Sequence, residues 1–340
     1  MTFKFIVGID VSKNWFNFCI MGSNFEIINE GELKNSPNGV LAFIEFLADG
    51  GYLEDMDDIL LIMEHTGIYV QHLSKAWLAK TGKLCLIHSA KVSNLLSGLD
   101  HWDEKTDAMD ARRLAEFAFR FADKIELWQA QKPNIKLLQA LQRQRSRTNA
   151  AINLLEVPIK ESKMFDDKKL SKQLEANHKN NIKGLKKTLK KIDAELLKVI
   201  NSDEQLKKLY RLITSVEGVG PVTAREVIIS TSGFEDFLPN QAKAYARYCG
   251  VVPLEKQSGK IKRKPRNSKR ANKHIKTLMT MGATSLIGTN GELGQYYRRK
   301  IGEGKKHFSV INAMRNKMIL RIFAVVRNEV MYKKNLNLSL

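Results

Sequence analysis

Phe5-Ile6-Val7-Gly8-Ile9-Asp10 is a short apolar run that stops at an acid, and its reading decides the fold of everything around it. It is too short for an ordinary helix and rich in β-branched side chains, so it predicts a buried strand. Trp15 to Met21 and Phe25 to Glu30 follow at hairpin spacing, which makes three antiparallel strands. Ser36-Pro37 is a helix start, with serine as N-cap and proline in the first turn, and the helix runs to about Asp49. Ile59 to Met63 is a second wholly apolar strand, and it too stops at an acid, Glu64. A helix from about Ile68 to Lys80, closed by Gly82, leads into a strand over Leu84 to Ile87. Lys105 to about Phe121 has the pattern of an amphipathic helix. The order β-β-β-α-β-α-β-α is that of an RNase H-like domain, a mixed sheet with helices on both faces.

Outward from that module the composition changes. The chain has 340 residues, enough for two or three domains, and its hydrophobic fraction of 43% is that of a globular protein. Residues 1–130 carry 12 Lys and Arg against 19 Asp and Glu, a net −7. Residues 131–340 carry 44 against 17, a net +27. An acidic module joined to a basic one calls for a polyanionic partner, most simply nucleic acid. No apolar run approaches the ~20 residues that span a bilayer, and the N-terminus lacks the charged-then-apolar order of a signal peptide. Cys19, Cys85 and Cys249 lie far apart without CxxC spacing, which argues against a disulfide framework and against a zinc site. The expected setting is a reducing cytoplasm, with no membrane partner.

Strand signals vanish over residues 131–213. Leu137, Leu138 and Leu141, and later Leu185, Leu189, Ile192, Leu196 and Leu197, fall at helical spacing among Lys and Glu. A coiled-coil hairpin of long helices is expected, its apolar stripe serving as core or dimer interface. Val157-Pro158 predicts the end of the first helix, because proline lacks the donor and crowds the preceding turn. Residues 214–340 read as a third, mostly helical unit. It opens with Glu217-Gly218-Val219-Gly220-Pro221, a Gly-x-Gly turn between two helices. Such a turn is either a helix-hairpin-helix that holds a DNA phosphate on backbone N–H groups, with Gly218 and Gly220 at the contact, or a plain turn whose glycines permit close packing.

Four acids stand where chemistry is expected. Asp10 and Glu64 end strands, and Asp107 and Asp110, three apart, share one helix face. In an RNase H-like fold these places converge. Four carboxylates gathered there would repel, each pair by about 4 kcal/mol at ~4 Å and an effective dielectric of ~20. A hard divalent cation, Mg²⁺ or Mn²⁺, removes that cost, and two of them serve phosphoryl transfer. Taken singly, each acid also reads as a turn, cap or helix-dipole residue, and Asp103 and Glu104 as solvated neighbours.

From Lys260 to Lys276 there are nine Lys or Arg in 17 residues and no acid. They include Lys260, Lys262, Arg263, Lys264, Arg266, Lys269, Arg270 and Lys273. A loop this basic needs phosphate, and with six to ten phosphate contacts affinity would fall ~10³–10⁵-fold between about 50 and 200 mM salt. Just before it, Ser258 stands beside Gly259. It is either an ordinary loop serine or a hydroxyl held against a DNA phosphate, which would need help from a metal or base.

Three segments, Gly8-Ile9-Asp10-Val11-Ser12-Lys13, Glu64-His65-Thr66-Gly67 and Lys105-Thr106-Asp107-Ala108-Met109-Asp110-Ala111, occur in that order. They resemble the DEDD-type transposases of insertion-sequence family one hundred and ten, to which Piv-like DNA invertases are related. Gly218-Val219-Gly220-Pro221, Tyr248-Cys249-Gly250-Val251-Val252-Pro253, Ser258-Gly259 and Lys269-Arg270-Ala271-Asn272 extend the resemblance over nearly the whole chain. It departs at His88-Ser89, where members carry Asn-Pro, and in having one serine before Gly259 where some have two.

The resemblance implies a RuvC-like catalytic domain over 1–130, a coiled-coil domain over 131–213 and a transposase domain over 214–340. It implies that Asp10, Glu64, Asp107 and Asp110 bind Mg²⁺ and that Ser258 forms a covalent phosphoserine link to DNA. It further implies composite sites in a dimer or tetramer, with donor and target DNA selected by a structured bridge RNA, leaving the protein to hold backbones. The alternative is a hydrolytic Holliday-junction nuclease using the four acids and water, which leaves Ser258 without a role. A purely architectural nucleic-acid binder would leave the acids without one.

Overall fold

The computed structural model describes residues 3–80, 82–88, 91–92, 106–165, 167–258, 261–266, 268 and 271–333. Lys260, Lys269 and Arg270, and with them Ser89, Asp103, Glu104, Lys105 and Gly259, lie outside the described residues. The chain divides into two compact units, Met1–Ala130 and Gln131–Leu340.

The first unit is built on a five-stranded sheet with the order β3-β2-β1-β4-β5. The strands are β1 (Phe5–Val11), β2 (Trp15–Gly22), β3 (Ile27–Lys34), β4 (Ile59–Glu64) and β5 (Lys83–Ile87). β1 pairs antiparallel with β2 and parallel with β4, and β4 pairs parallel with β5. Both faces of β1 and β4 are covered, which is why their sequences are runs and not alternations. On one face Val7, Ile9, Leu61 and Met63 pack under α1 (Pro37–Asp49) and α2 (Gln71–Ala79). On the other, Ile6, Leu60 and Ile62 pack under α3 (Asp107–Arg120). Each of these side chains contributes roughly 1.5–3 kcal/mol by leaving water.

Local chemistry sets most of the boundaries. Ser36 caps α1 by accepting from the Gly39 N–H at 3.1 Å, with Pro37 in the first turn. α2 starts at Gln71, three residues later than the periodicity predicts, because Gly67 takes a positive φ of 76° and residues 67–70 form a turn. Gly82 lies flat against the buried Trp77, where a Cβ would stand 2.4 Å from the indole.

The second unit is helical but for one hairpin. α4 (Pro133–Met164) and α5 (Lys168–Asn201) form the expected pair of long helices. α4 does not end at Pro158 as the sequence predicts; it runs one and a half turns further. The carbonyl that loses its donor belongs to Leu154, a well-exposed residue in reach of water, and Ser162 Oγ donates back to the Pro158 carbonyl. Leu138, Ile192 and Leu196 are buried in the seam, whereas Leu137 and Leu197 face outward.

After the pair come α6 (Glu204–Thr214), α7 (Pro221–Ser230), α8 (Ala242–Tyr248), α9 (Lys273–Ser285), α10 (Glu292–Gly302) and α11 (His307–Asn328). α11 is buried along most of its length through Ile311, Met314, Met318, Ile322 and Phe323. One core runs from Ile135, Leu138, Ile192, Leu196 and Ile200 at the base of the long helices to α11. The segment Pro253–Lys276 reads as a basic loop from the sequence; its described residues 254–258 and 261–266 are strands instead. They form the hairpin β6 (Leu254–Ser258) and β7 (Ile261–Arg266), which backbone pairing stabilises without an apolar alternation. Among the described residues, no helix is long and apolar enough to cross a membrane.

Candidate active site

Gly8 determines what the first unit can do. A Cβ there would stand 2.1 Å from the Ala111 carbonyl oxygen and 2.5 Å from the Ala115 nitrogen, so glycine lets α3 lie directly on β1. Buried Ala111 and Ala115 complete the close approach. Arg112 then pairs with Glu30 on β3 through two guanidinium hydrogen bonds, tying the helix to the sheet. Thr106 caps α3 by accepting from the Met109 N–H at 3.3 Å, and the first turn presents Asp107 and Asp110. Carboxylates there suit the positive end of the helix dipole.

Asp10 lies on β1 one residue past the Ile9–Met63 pairing, and Glu64 one residue past it on neighbouring β4. Adjacent strands are about 4.8 Å apart, so the two carboxyls leave the sheet side by side. The Asp10 carboxyl is pushed up from 3.8 to about 6, first by burial and then by the charges of Asp107, Asp110 and Glu64, against a lowering hydrogen bond from the Val11 backbone. The other three acids picked from the sequence are therefore all within electrostatic reach of Asp10.

They are not a finished cage. Among the described residues no three His, Cys, Asp or Glu side chains stand together as a metal-ready set. Asp107 is exposed, and Asp110 is turned to Arg113, whose Nη1 it meets at 3.0 Å. The chemistry of the donors still fits a hard divalent cation: four carboxylates, one of them half-buried and raised to about 6 by burial and by the charges of the other three.

Several residues round this cluster escaped the sequence reading. Asn35 donates from Nδ2 to the Ser12 carbonyl at 2.8 Å and to the Tyr69 carbonyl at 3.0 Å, joining the segments that follow β1, β3 and β4. His65 and His88 stack with ring centroids 6.1 Å apart, just beyond β4 and β5. The Arg112–Arg113 pair directly after Asp110-Ala111 was a local signal of cations beside the acids. Asn35 had none, since its partners are distant in sequence.

In the second unit the two glycines of the Gly-x-Gly turn have separate surroundings. Gly218 has φ +80°, and a Cβ would meet the Gly282 carbonyl at 3.0 Å and the Leu286 and Met318 side chains, so it serves close packing. Gly220 is the N-cap of α7 and faces open space. Ser258 is the last residue of β6, paired with Ile261 at the turn of the hairpin. On β7, Lys262 lies opposite Gln257, Arg263 opposite Lys256 and Arg266 opposite Leu254, with Lys264 between. Lys273 opens α9, whose first turn is capped by Asn272 through the His274 and Ile275 N–H groups.

Known proteins match this chain in both units. A profile described as "Transposase", for DEDD transposases of the IS110 kind, matches residues 7–155, and one described as "Transposase IS116/IS110/IS902 family" matches residues 210–298. A pilin gene-inverting protein of Moraxella bovis is 23% identical over 336 residues, 98% of this chain and 99% of its own. Its counterpart in Moraxella lacunata has the same identity and coverage. An IS116 protein of Streptomyces clavuligerus is 22% identical over 191 residues, 55% of this chain and 46% of its own.

Proposed function

The chain belongs to the IS116/IS110/IS902 family of transposases and is a DNA-recombining enzyme; from that premise we propose that it cuts and rejoins DNA strands by serine attack on phosphate beside a divalent metal. The observation that carries this is the raised Asp10 carboxyl, which senses Asp107, Asp110 and Glu64 together. We read the sheet order β3-β2-β1-β4-β5 with α3 across it as the RuvC-like form of the RNase H fold. The long helical pair, 131–213, is then an arm, and 214–340 the serine-bearing part with a helix-hairpin-helix-like turn at Gly218 and Gly220.

In this reading Asp10, Glu64, Asp107 and Asp110 would hold Mg²⁺ or Mn²⁺, which would supply charge neutralisation for phosphoryl transfer. Ser258 Oγ attacks phosphorus and gives up its proton to solvent or a base; the bond to the strand's leaving oxygen breaks, and that oxygen is protonated. The phosphoserine link keeps the phosphodiester energy, so a second strand's hydroxyl can displace serine and restore it. Ser258 ends β6 in register with Ile261, on a hairpin whose second strand carries Lys262, Arg263 and Lys264, a composition suited to a nucleic-acid strand.

The net +27 over residues 131–340 supports simultaneous binding of donor and target DNA and of a structured bridge RNA. Exposed Leu154, Val157, Met164 and Phe165 on and beside α4 support assembly into dimers and, on DNA, tetramers. Coverage of the pilin gene-inverting proteins from end to end supports inversion as well as transposition.

Strand exchange between two DNA ends, assayed with the copurifying RNA and Mg²⁺, tests the proposal. Asp107→Asn and Ser258→Ala each abolish exchange while DNA binding largely survives. Full exchange by Ser258→Ala refutes the serine mechanism, and metal-dependent cutting by that variant returns the hydrolytic nuclease.

A further inference from the structure

The second unit contains a cleft of about 480 Å³ between α4, α7 and the start of α9. Two exposed arginines on its α4 wall, Arg143 and Arg147, sit one turn apart, and among the described residues neither forms an ion pair. Residues four apart on a helix lie about 5–6 Å from each other, so the two guanidinium heads can reach neighbouring phosphates. Among the described residues the one acid that lines the cleft, Glu226, has His274 Nε2 at 2.8 Å from its Oε1 and also feels the charges of Arg143 and Arg225. Net positive charge therefore faces the space.

A second observation points the same way. Gln142 lines the cleft and is only 3% exposed. Its Oε1 accepts from Arg225 Nε at 3.4 Å, and its Nε2 has no partner. Turning the amide over does not help, because Arg225 has only donors to offer. A buried N–H₂ without an acceptor costs about 1–3 kcal/mol, and a ligand oxygen would recover it.

The far wall identifies the strand that belongs there. Asn272 donates from its backbone N–H to the Tyr248 carbonyl at 2.8 Å and from Nδ2 to the Tyr248 hydroxyl at 3.0 Å. This clasp joins the chain before and after the β6–β7 hairpin, in which Ser258 ends β6. Resting on the transposase reading above, we infer that the cleft binds the phosphodiester backbone of the DNA strand presented to that hairpin, with Arg143 and Arg147 on phosphate oxygens and Gln142 donating to the same strand. Gln142, Arg143 and Arg147 are positioning residues: they hold the strand's register against the hairpin.

The test is fluorescence anisotropy of the full-length protein on a labelled DNA duplex at a series of salt concentrations. Arg143→Gln combined with Arg147→Gln lowers the slope of log affinity against log salt by about 2, at ~0.9 per phosphate contact. Gln142→Leu weakens binding about fivefold and leaves the slope alone, as the loss of one uncharged hydrogen bond should. A wild-type slope in the double variant overturns the inference, as does a slope change confined to a structured RNA. Wild-type protein that binds no DNA at all overturns the transposase reading instead.

Discussion

The two units of this molecule handle charge in opposite ways. The sheet unit, at −7, brings four acids to one end of two adjacent strands and the first turn of a helix. The helical unit, at +27, spreads cations along a hairpin, a cleft and two long helices. A metal centre needs convergence, and convergence depends on residues that carry no charge: Gly8, Ala111 and Ala115 let α3 close on β1. Holding a nucleic-acid backbone needs extent, and extended charge tolerates irregular scaffolding. The first unit should therefore be brittle to small apolar changes and the second tolerant of them.

The largest expected effect follows from that contrast. Gly8→Ala places a methyl 2.1 Å from the Ala111 carbonyl oxygen, so α3 must move off the sheet. A loss of about 3 kcal/mol or more is expected in chemical denaturation of the first unit, with loss of metal response. Unchanged stability would mean that α3 does not depend on close approach, and the account of how the acids converge would fail.

A smaller effect sharpens the electrostatic side. The Asp10 carboxyl is at about 6 in the folded protein against 3.8 without its surroundings, so between those values the folded state binds more protons than the unfolded. Stability in chelator therefore falls as pH rises from about 4 to 6, and stays lower above. Asp10→Asn removes that fall. After allowance for solvent screening the gain at neutral pH is on the order of 1–2 kcal/mol. Divalent cation stabilises the wild type at pH 7.5 and not the variant. Parallel pH profiles for the two proteins would show that the acids do not act on one another.

Legibility in the sequence followed the same divide. β1 and β4 were readable because strands buried on both faces are uninterrupted apolar runs, and α1 because Ser36-Pro37 announces it. Asp10, Glu64, Asp107 and Asp110 stood out at strand ends and on a shared helix face, but it was the resemblance to the DEDD transposases that joined them into a set. Arg112, Asn35 and the His65–His88 stack were not readable, since each acts through partners that only the folded chain brings near. Pro158 misled because the cost of a helix proline depends on whether the freed carbonyl can reach water, which no local pattern records. The β6–β7 hairpin was hidden for another reason: strands such as Ile261-Lys262-Arg263-Lys264 lack the apolar alternation by which strands are read.

The most direct measurement is a search for an SDS-resistant protein–DNA adduct after mixing purified protein, Mg²⁺, copurifying RNA and element-end DNA. The account predicts an adduct in the wild type that is absent from Ser258→Ala, and absent from the wild type in chelator. DNA cutting that needs Mg²⁺ but leaves no adduct would contradict it, and would leave Ser258 as a turn residue in a basic hairpin.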